Sequence, residues 1–195
     1  MPSVRLILAS TSPYRRELLA RLRLPFDVAN PSVDETPRRG ELPAELAVRL
    51  AVAKATAVAA SNPEALVIGG DQVAVLGETV LPKPLTHQNA ILQLRAMRAR
   101  RVSFLTAVAV VRGADGEARA RLVPCHVDFR EYSDEAIERY LQAEKPYDCA
   151  GAAKIEALGI ALVRRLEGED PTALIGLPLI ALVDLLGAFG CGVPA

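Results

Sequence analysis

Leu66-Val67-Ile68-Gly69-Gly70-Asp71-Gln72-Val73 is a short apolar run that passes through two glycines into an acid and an amide. β-Branched Val67 and Ile68 suit a strand covered on both faces. Glycines cannot fill a core; they let another backbone or a ligand approach closely. A carboxylate placed straight after them is costly to bury unless it is paired, protonated or bound to a metal. The stretch reads as a buried strand that delivers Asp71 to a site. Taken alone, it also fits an aspartate in a turn between two strands. What surrounds Asp71 has to decide.

A chain of 195 residues can form one large domain or two small lobes with a real core. Its 23 basic and 23 acidic side chains balance. No overall field draws it to a nucleic acid polymer or an anionic membrane, so any basic site must be local. Cys125, Cys149 and Cys191 are odd in number and contain no CxxC pair. That argues against a disulfide framework or a zinc site and fits a reducing cytoplasm. Met1 to Leu8 is too short an apolar run for a signal peptide. Ala173 to Val183, the most apolar segment, is broken by Gly176 and Pro178 and is too short to span a bilayer. A cytoplasmic globule is the expectation.

In chain order, Val4 to Leu8 reads as a strand, followed by the small-residue loop Ala9-Ser10-Thr11-Ser12. Ser12 is a candidate N-cap, with Pro13 at the first helical position and a helix to about Leu22. Arg15 and Arg16 lie in its first turn, where the helix dipole disfavours cations. A hydroxyl-rich loop, a helix start and two arginines suit a phosphate site, and two solvated arginines fit equally well. The glycines and lysine of a P-loop are missing.

Phe26 to Val33 reads as a second short strand, then Asp34-Glu35-Thr36-Pro37 as a polar turn. Pro43 to Ser61 is an alanine-rich helix, with Lys54 at the border of its apolar stripe, where a lysine usually snorkels. Lys83 stands between Pro82 and Pro84, which restrict its backbone and suit it to aim an ammonium at a fixed anion. Thr86 caps a helix to about Arg100. Val102 to Arg112 and Ala118 to Phe129 form strands joined through Ala114-Asp115-Gly116. His87 is expected at the surface and His126 in a structural role. Ser133 starts a helix to about Ala143. Lys154 and Glu156 fall on one side if a strand has begun there, and Ile160 to Leu166 continues as a strand. Pro178 to Leu186 closes the chain as an apolar helix.

Counted together, Arg15, Lys54, Lys83 and Lys154 face Glu35 and Asp71, each near a loop or the end of an element. Several cations and two acids suit a polyanion with a divalent metal, as phosphate-ester hydrolysis requires. The residues by themselves reach as far as a phosphate-handling α/β enzyme.

Leu8-Ala9-Ser10-Thr11-Ser12-Pro13-Tyr14-Arg15-Arg16-Glu17-Leu18-Leu19 resembles the N-terminal signature of the Maf family of nucleoside triphosphate pyrophosphatases. So do Asp34-Glu35, Lys54 within Arg49 to Ala55, Gly69-Gly70-Asp71-Gln72 and Lys83-Pro84. Cys149-Ala150-Gly151 and Gly176-Leu177-Pro178-Leu179 complete a set spanning nearly the whole chain in order. Within the family the chain is similar to the 7-methyl-GTP branch, through Tyr14, Gln72 and the run ending in Lys154 and Glu156. The dTTP/UTP branch has Arg, Thr and Gln at the positions of Tyr14, Gln72 and Glu156. Gly70 departs from the branch's usual Ser, Pro82 and Ala107 each from a Gly, and Ala152-Ala153 from Ser-Phe.

The resemblance implies one Maf-type domain over residues 1–195. Its fold would be α/β and inosine-triphosphatase-like: a mixed twisted sheet flanked by helices, in two lobes around a central cleft, often as a homodimer. It implies hydrolysis of a small-molecule nucleotide between the α- and β-phosphates, with a divalent cation (Mg2+, Mn2+ or Co2+). Asp71 would be the proton acceptor, and Glu35 with Asp71 would hold the metal. Ser10, Arg15, Lys54, Lys83 and Lys154 would bind the phosphates; Tyr14, Gln72 and Glu156 would read the base. The rivals are a dTTP/UTP pyrophosphatase and a nucleotide-binding regulator of cell division without useful turnover.

Overall fold

In the computed structural model, which describes residues 4–194, the apolar run around the two glycines lies inside one long strand. Four elements lead up to it: β1 (Arg5–Ala9), α1 (Pro13–Ala20), β2 (Asp27–Ala29) and α2 (Pro43–Ala59). The long strand is β3 (Ala65–Leu76), followed by β4 (Thr79–Leu81), α3 (His87–Met97), β5 (Arg101–Arg112) and β6 (Ala118–Phe129). α4 (Asp134–Glu144), β7 (Val163–Gly168) and α5 (Leu179–Ala188) complete the set, with short 3-10 turns between. The fold is mixed α/β, with seven strands in the order β2-β1-β3-β5-β6-β7 and β4 paired to β3. Among the described residues no helix is long and apolar enough to cross a membrane.

Ser12, Thr86 and Ser133 cap their helices as expected, each accepting from a backbone N–H three residues on. Three boundaries differ from the sequence expectation. β2 is only three residues long, because Pro31 lacks a donor and Ser32 takes φ 39°. α3 stops at Met97, where Arg98 leaves the helical region with ψ 127°. No strand forms at Lys154–Glu156; β7 begins at Val163.

The described chain divides into two compact units. The first contains the chain up to Asp71, Thr106–Val123 and the chain from Asp170 onward; the second contains Gln72–Leu105 and Pro124–Glu169. In the first, β1 pairs in parallel with β2 on one side and β3 on the other, in the register Ala9↔Ala29 and Ala9↔Gly69. Alternation along these strands builds two cores. Leu6, Leu8, Leu66 and Ile68 pack with Leu18 and Leu19 of α1 and Leu182, Leu185 and Leu186 of α5. Ile7, Ala9, Val67 and Ala65 pack on the other face with Ala55, Val58 and Ala59 of α2. Burial on both faces explains the unbroken apolar run of the sequence.

The chain leaves β1 through α1 to β2 on one side, then returns through α2 to β3 on the other. The ends of β1 and β3 are thus the point where strand order reverses, the place open α/β sheets use for ligands. The two glycines sit there, one for each face. A Cβ on Gly69 would overlap the Ala51 carbonyl and lie 2.9 Å from the Ala55 nitrogen, so α2 rests directly on that glycine. A Cβ on Gly70 would meet the Arg15 Nε at 3.3 Å, a flexible side chain rather than a backbone.

In the second unit, β4 folds back antiparallel on β3 (Ala74↔Leu81) and β7 pairs antiparallel with β6 (Val127↔Leu166). Its buried side chains include Ala90, Leu94 and Met97 of α3 and Ile137, Tyr140 and Leu141 of α4.

The difference between the glycines is measurable. Gly69→Ala is expected to lose about 3 kcal/mol, since a helix backbone must move. Gly70→Ser should stay within about 1 kcal/mol, since only the Arg15 side chain must shift. Urea unfolding of both variants checks this; equal losses would contradict the assignment of one glycine to each face.

Candidate active site

Asp71 shares its face of β3 with Val67 and Gly69, the face that α2 covers. Lys54 sits on α2 between Ala51 and Ala55, the two residues that rest on Gly69, so the close approach brings its side chain to the strand. Its Nζ donates to Asp71 Oδ1 at 2.7 Å and pairs with Glu35 Oε1 at 2.6 Å. Lys54 is not a snorkelling surface lysine: its side chain is 7% exposed and that of Asp71 11%. Removing one member of such a buried pair typically costs 3–5 kcal/mol, against about 0–1 kcal/mol for exposed pairs. Glu35, at 59% exposure, contributes geometry more than stability.

The two arginines of α1 separate. Arg16 is exposed and lines a groove of about 830 Å3 with Ser10, Thr11, Ser12 and Phe26. Arg15 turns inward over Gly70. Its Nε donates to the Gly176 carbonyl at 2.8 Å and its Nη1 to Ser10 Oγ at 3.4 Å. Burial pulls the Arg15 guanidinium below its ordinary value, while the charges of Asp71 and Glu35 act in the opposite direction; an arginine remains cationic throughout. Ser10 is buried and its Oγ also accepts from the Ser12 N–H at 3.2 Å. Its own hydroxyl hydrogen is what it can offer an anion. Ser10, Arg15, Glu35, Lys54 and Asp71 are therefore one group within the first unit, with Tyr14 half-buried in the same turn as Arg15.

Two supports of this group were not legible in the sequence. Arg49 grips Glu41 through both carboxylate oxygens, at 2.5 and 2.8 Å, and donates to the Thr36 carbonyl at 3.1 Å. It thereby fixes the loop that carries Glu35. Arg49 and the Arg38 amide pull the Glu41 carboxyl down to about 2. The other support is the segment before α5. Asp170, 3% exposed, accepts from the Thr172 N–H and hydroxyl and from the Ile180 N–H. Thr106 donates to the Ala173 carbonyl at 2.9 Å. These bonds hold the turn that presents Gly176 to Arg15. An Asp-x-Thr ahead of a helix is a capping signal; its tie to Arg15 is long-range and leaves no local pattern.

The second unit holds Gln72, Lys83, Lys154 and Glu156. Gln72 follows Asp71 on β3 and is half-buried. Lys83 is exposed, and its flanking prolines are anchored: the Pro82 carbonyl accepts from Gln93 and the Pro84 carbonyl from Asn89. Lys154 pairs with Glu144 at 3.2 Å, which raises its value. Glu156 stands in a turn, open to solvent by area, yet desolvation by its neighbours still raises its carboxyl. His87 bridges the Tyr147 hydroxyl and the Glu138 carboxylate at 2.9 Å each and is half-buried, not fully at the surface. His126 meets Ser103 Oγ at 2.8 Å, in keeping with a structural role.

The sequence model of the family described as Maf-like protein matches residues 5–189. A protein of Nitrosospira multiformis named 7-methyl-GTP pyrophosphatase is 59% identical over 93% of this chain and 91% of its own length. Proteins with the same name from Methylobacillus flagellatus and Albidiferax ferrireducens are each 56% identical. The first alignment covers 96% of this chain and 98% of the relative, the second 95% and 94%.

The Arg49–Glu41 grip gives a pH dependence with a definite sign. Folding lowers the Glu41 value, so the pair's support is complete above about pH 5 and is lost as the pH falls toward about 2. Glu41→Gln should therefore unfold at a lower temperature than the parent near pH 7, with the gap closing as the pH approaches 2. A gap that stays constant in thermal unfolding from about pH 7 to about pH 2 would contradict the assignment.

Proposed function

The chain belongs to the Maf family, and from that premise we propose that it is a nucleoside triphosphate pyrophosphatase acting on 7-methyl-GTP. The observation that carries the chemistry is the buried Lys54 ammonium held at once by Asp71 and Glu35. Arg15 and Ser10 add a fixed cation and a hydroxyl beside it. Water would attack phosphorus and the α–β anhydride would break, giving the monophosphate and pyrophosphate. Asp71 would take the proton from the attacking water. Arg15, Lys54 and Ser10, with Lys83 and Lys154, would bind the phosphates and offset the charge that moves onto the leaving pyrophosphate. We take residues 1–195 as one Maf-type domain acting in the cytoplasm, in keeping with the free thiols of Cys125 and Cys191.

Maf-type nucleotide pyrophosphatases generally depend on a divalent metal. The donor set here fits one: Glu35 and Asp71 are hard oxygen ligands, and Mg2+ or Mn2+ is commonly held by one or two carboxylates plus waters and substrate phosphates. Co2+ suits the same donors. When bound, the cation would neutralise phosphoryl oxygens. The residues themselves would orient the triphosphate and take the proton.

For the base, the relatives' shared name supports the 7-methyl-GTP branch, and the chemistry agrees. Methylation at N7 gives guanine a delocalised positive charge that the Tyr14 ring can stack against. Glu156 can accept from the N1 and N2 hydrogens, and Gln72 can both donate and accept. Pyrophosphate release with Mn2+ from a panel of triphosphates tests the reading. It should be faster from 7-methyl-GTP than from UTP or dTTP by at least about tenfold in kcat/KM. Preference for UTP or dTTP would assign the sister branch, and binding without release would assign a regulator.

The Lys54 contacts make a separate prediction. Its ammonium holds one oxygen of each of the two carboxylates that would hold a divalent cation. Without nucleotide, Lys54→Met should bind Mn2+ at least about tenfold more tightly than the parent, as read by electron paramagnetic resonance titration. Equal or weaker binding would show that Glu35 and Asp71 are not the metal's ligands.

A further inference from the structure

The segment carrying Lys154 and Glu156 belongs to no strand, so something else must set its shape. Tyr140 and Glu144 stand one turn apart on α4, on one face of the helix. The Tyr140 ring is 3% exposed, and its hydroxyl donates to the Ala152 carbonyl at 3.0 Å. The same oxygen accepts the Lys154 N–H at 2.9 Å. One hydroxyl thus spans Ala153 and joins the backbone on both sides of it. Glu144 uses both of its oxygens: Oε1 accepts the Leu158 N–H at 2.9 Å and Oε2 pairs with Lys154 Nζ at 3.2 Å. Between these anchors the Lys154 carbonyl accepts from Ala157 and Gly159, which closes a turn around Glu156.

Two details mark the segment as tightly constrained. Ala152 has φ 54°, a left-handed conformation that alanine rarely adopts without outside support. Gly159 has no room for a side chain: a Cβ there would lie 2.5 Å from the Lys154 carbonyl oxygen. The Tyr140 hydroxyl is also held in its protonated form, since burial pushes its value up. It therefore keeps both its donor and its acceptor bond.

We propose that Tyr140 and Glu144 are positioning residues for base selection, fixing the turn that carries Glu156 and restraining the Lys154 ammonium. The inference rests on the reading that Lys154 and Glu156 meet the substrate. Neither Tyr140 nor Glu144 needs to touch the nucleotide. A misplacement of a fraction of an ångström in Glu156 weakens a charge-assisted pair that guanine makes and uracil does not, whereas phosphate contacts are common to both nucleotides.

The test compares kcat/KM for 7-methyl-GTP and UTP in the parent, Tyr140→Phe and Glu144→Gln. Tyr140→Phe keeps the buried ring, and Glu144→Gln keeps an acceptor for Leu158 while removing the charge beside Lys154. Each variant should reduce the preference for 7-methyl-GTP at least about fivefold, mainly through KM for that nucleotide. Amide exchange across residues 152–158 should quicken in Tyr140→Phe while the α4 amides stay protected. A merely structural role would lower both substrates' rates together. If the parent prefers 7-methyl-GTP and both variants keep that preference, this inference is overturned alone. A parent with no preference overturns the substrate reading and this inference with it.

Discussion

The Lys54 ammonium lies between the Asp71 and Glu35 carboxylates, and much of the first unit is arranged to bring it there. A lysine this deep must be paired, because an isolated buried charge would be neutralised or would unfold the site. The pair in turn requires α2 to lie against β3 without an intervening side chain, which Gly69 permits. Apolar contacts of Ala55, Val58 and Ala59 hold the helix in that place. On the opposite face the same strand gives up a second side chain at Gly70, and the Arg15 guanidinium lies over it. One cation thus approaches from each side of a strand whose part in this unit ends at the Asp71 carboxylate.

This geometry was partly legible in the residues. The apolar run, the double glycine and the acid announced a strand with close neighbours, and the structure assigns one neighbour to each glycine. Lys54 at the edge of an apolar stripe read as a snorkelling lysine because helical periodicity describes one helix alone. Its burial depends on β3, which follows α2 in the chain. Whether the first-turn arginines meet an anion or solvent is open in the sequence for a similar reason: both lie in one turn, and the bond to the distant Gly176 carbonyl is what turns Arg15 inward. Arg49 gives no signal, since its role is a bond to a loop, and the capping signal at Asp170 does not point to Arg15.

The second unit shows the opposite failure. Alternation at Lys154 and Glu156 suggested a strand, but there the backbone is shaped by side chains of α4, with Ala152 in a left-handed conformation and Gly159 closing the turn. Side-chain clamps of this kind do not produce a periodic pattern, so they are read only from coordinates. They also free a short segment from the spacing rules of a strand, so the side chains of Lys154 and Glu156 need not share one face.

In the proposed function Asp71 performs the chemistry and is not merely an ion-pair partner for Lys54. Single-turnover pyrophosphate release at saturating 7-methyl-GTP and Mn2+, compared between the parent and Asp71→Asn, tests it most directly. The rate should fall at least about a hundredfold, the range expected for loss of a general base, with the folded state retained. A folded Asp71→Asn variant that releases pyrophosphate within about threefold of the parent rate would contradict it.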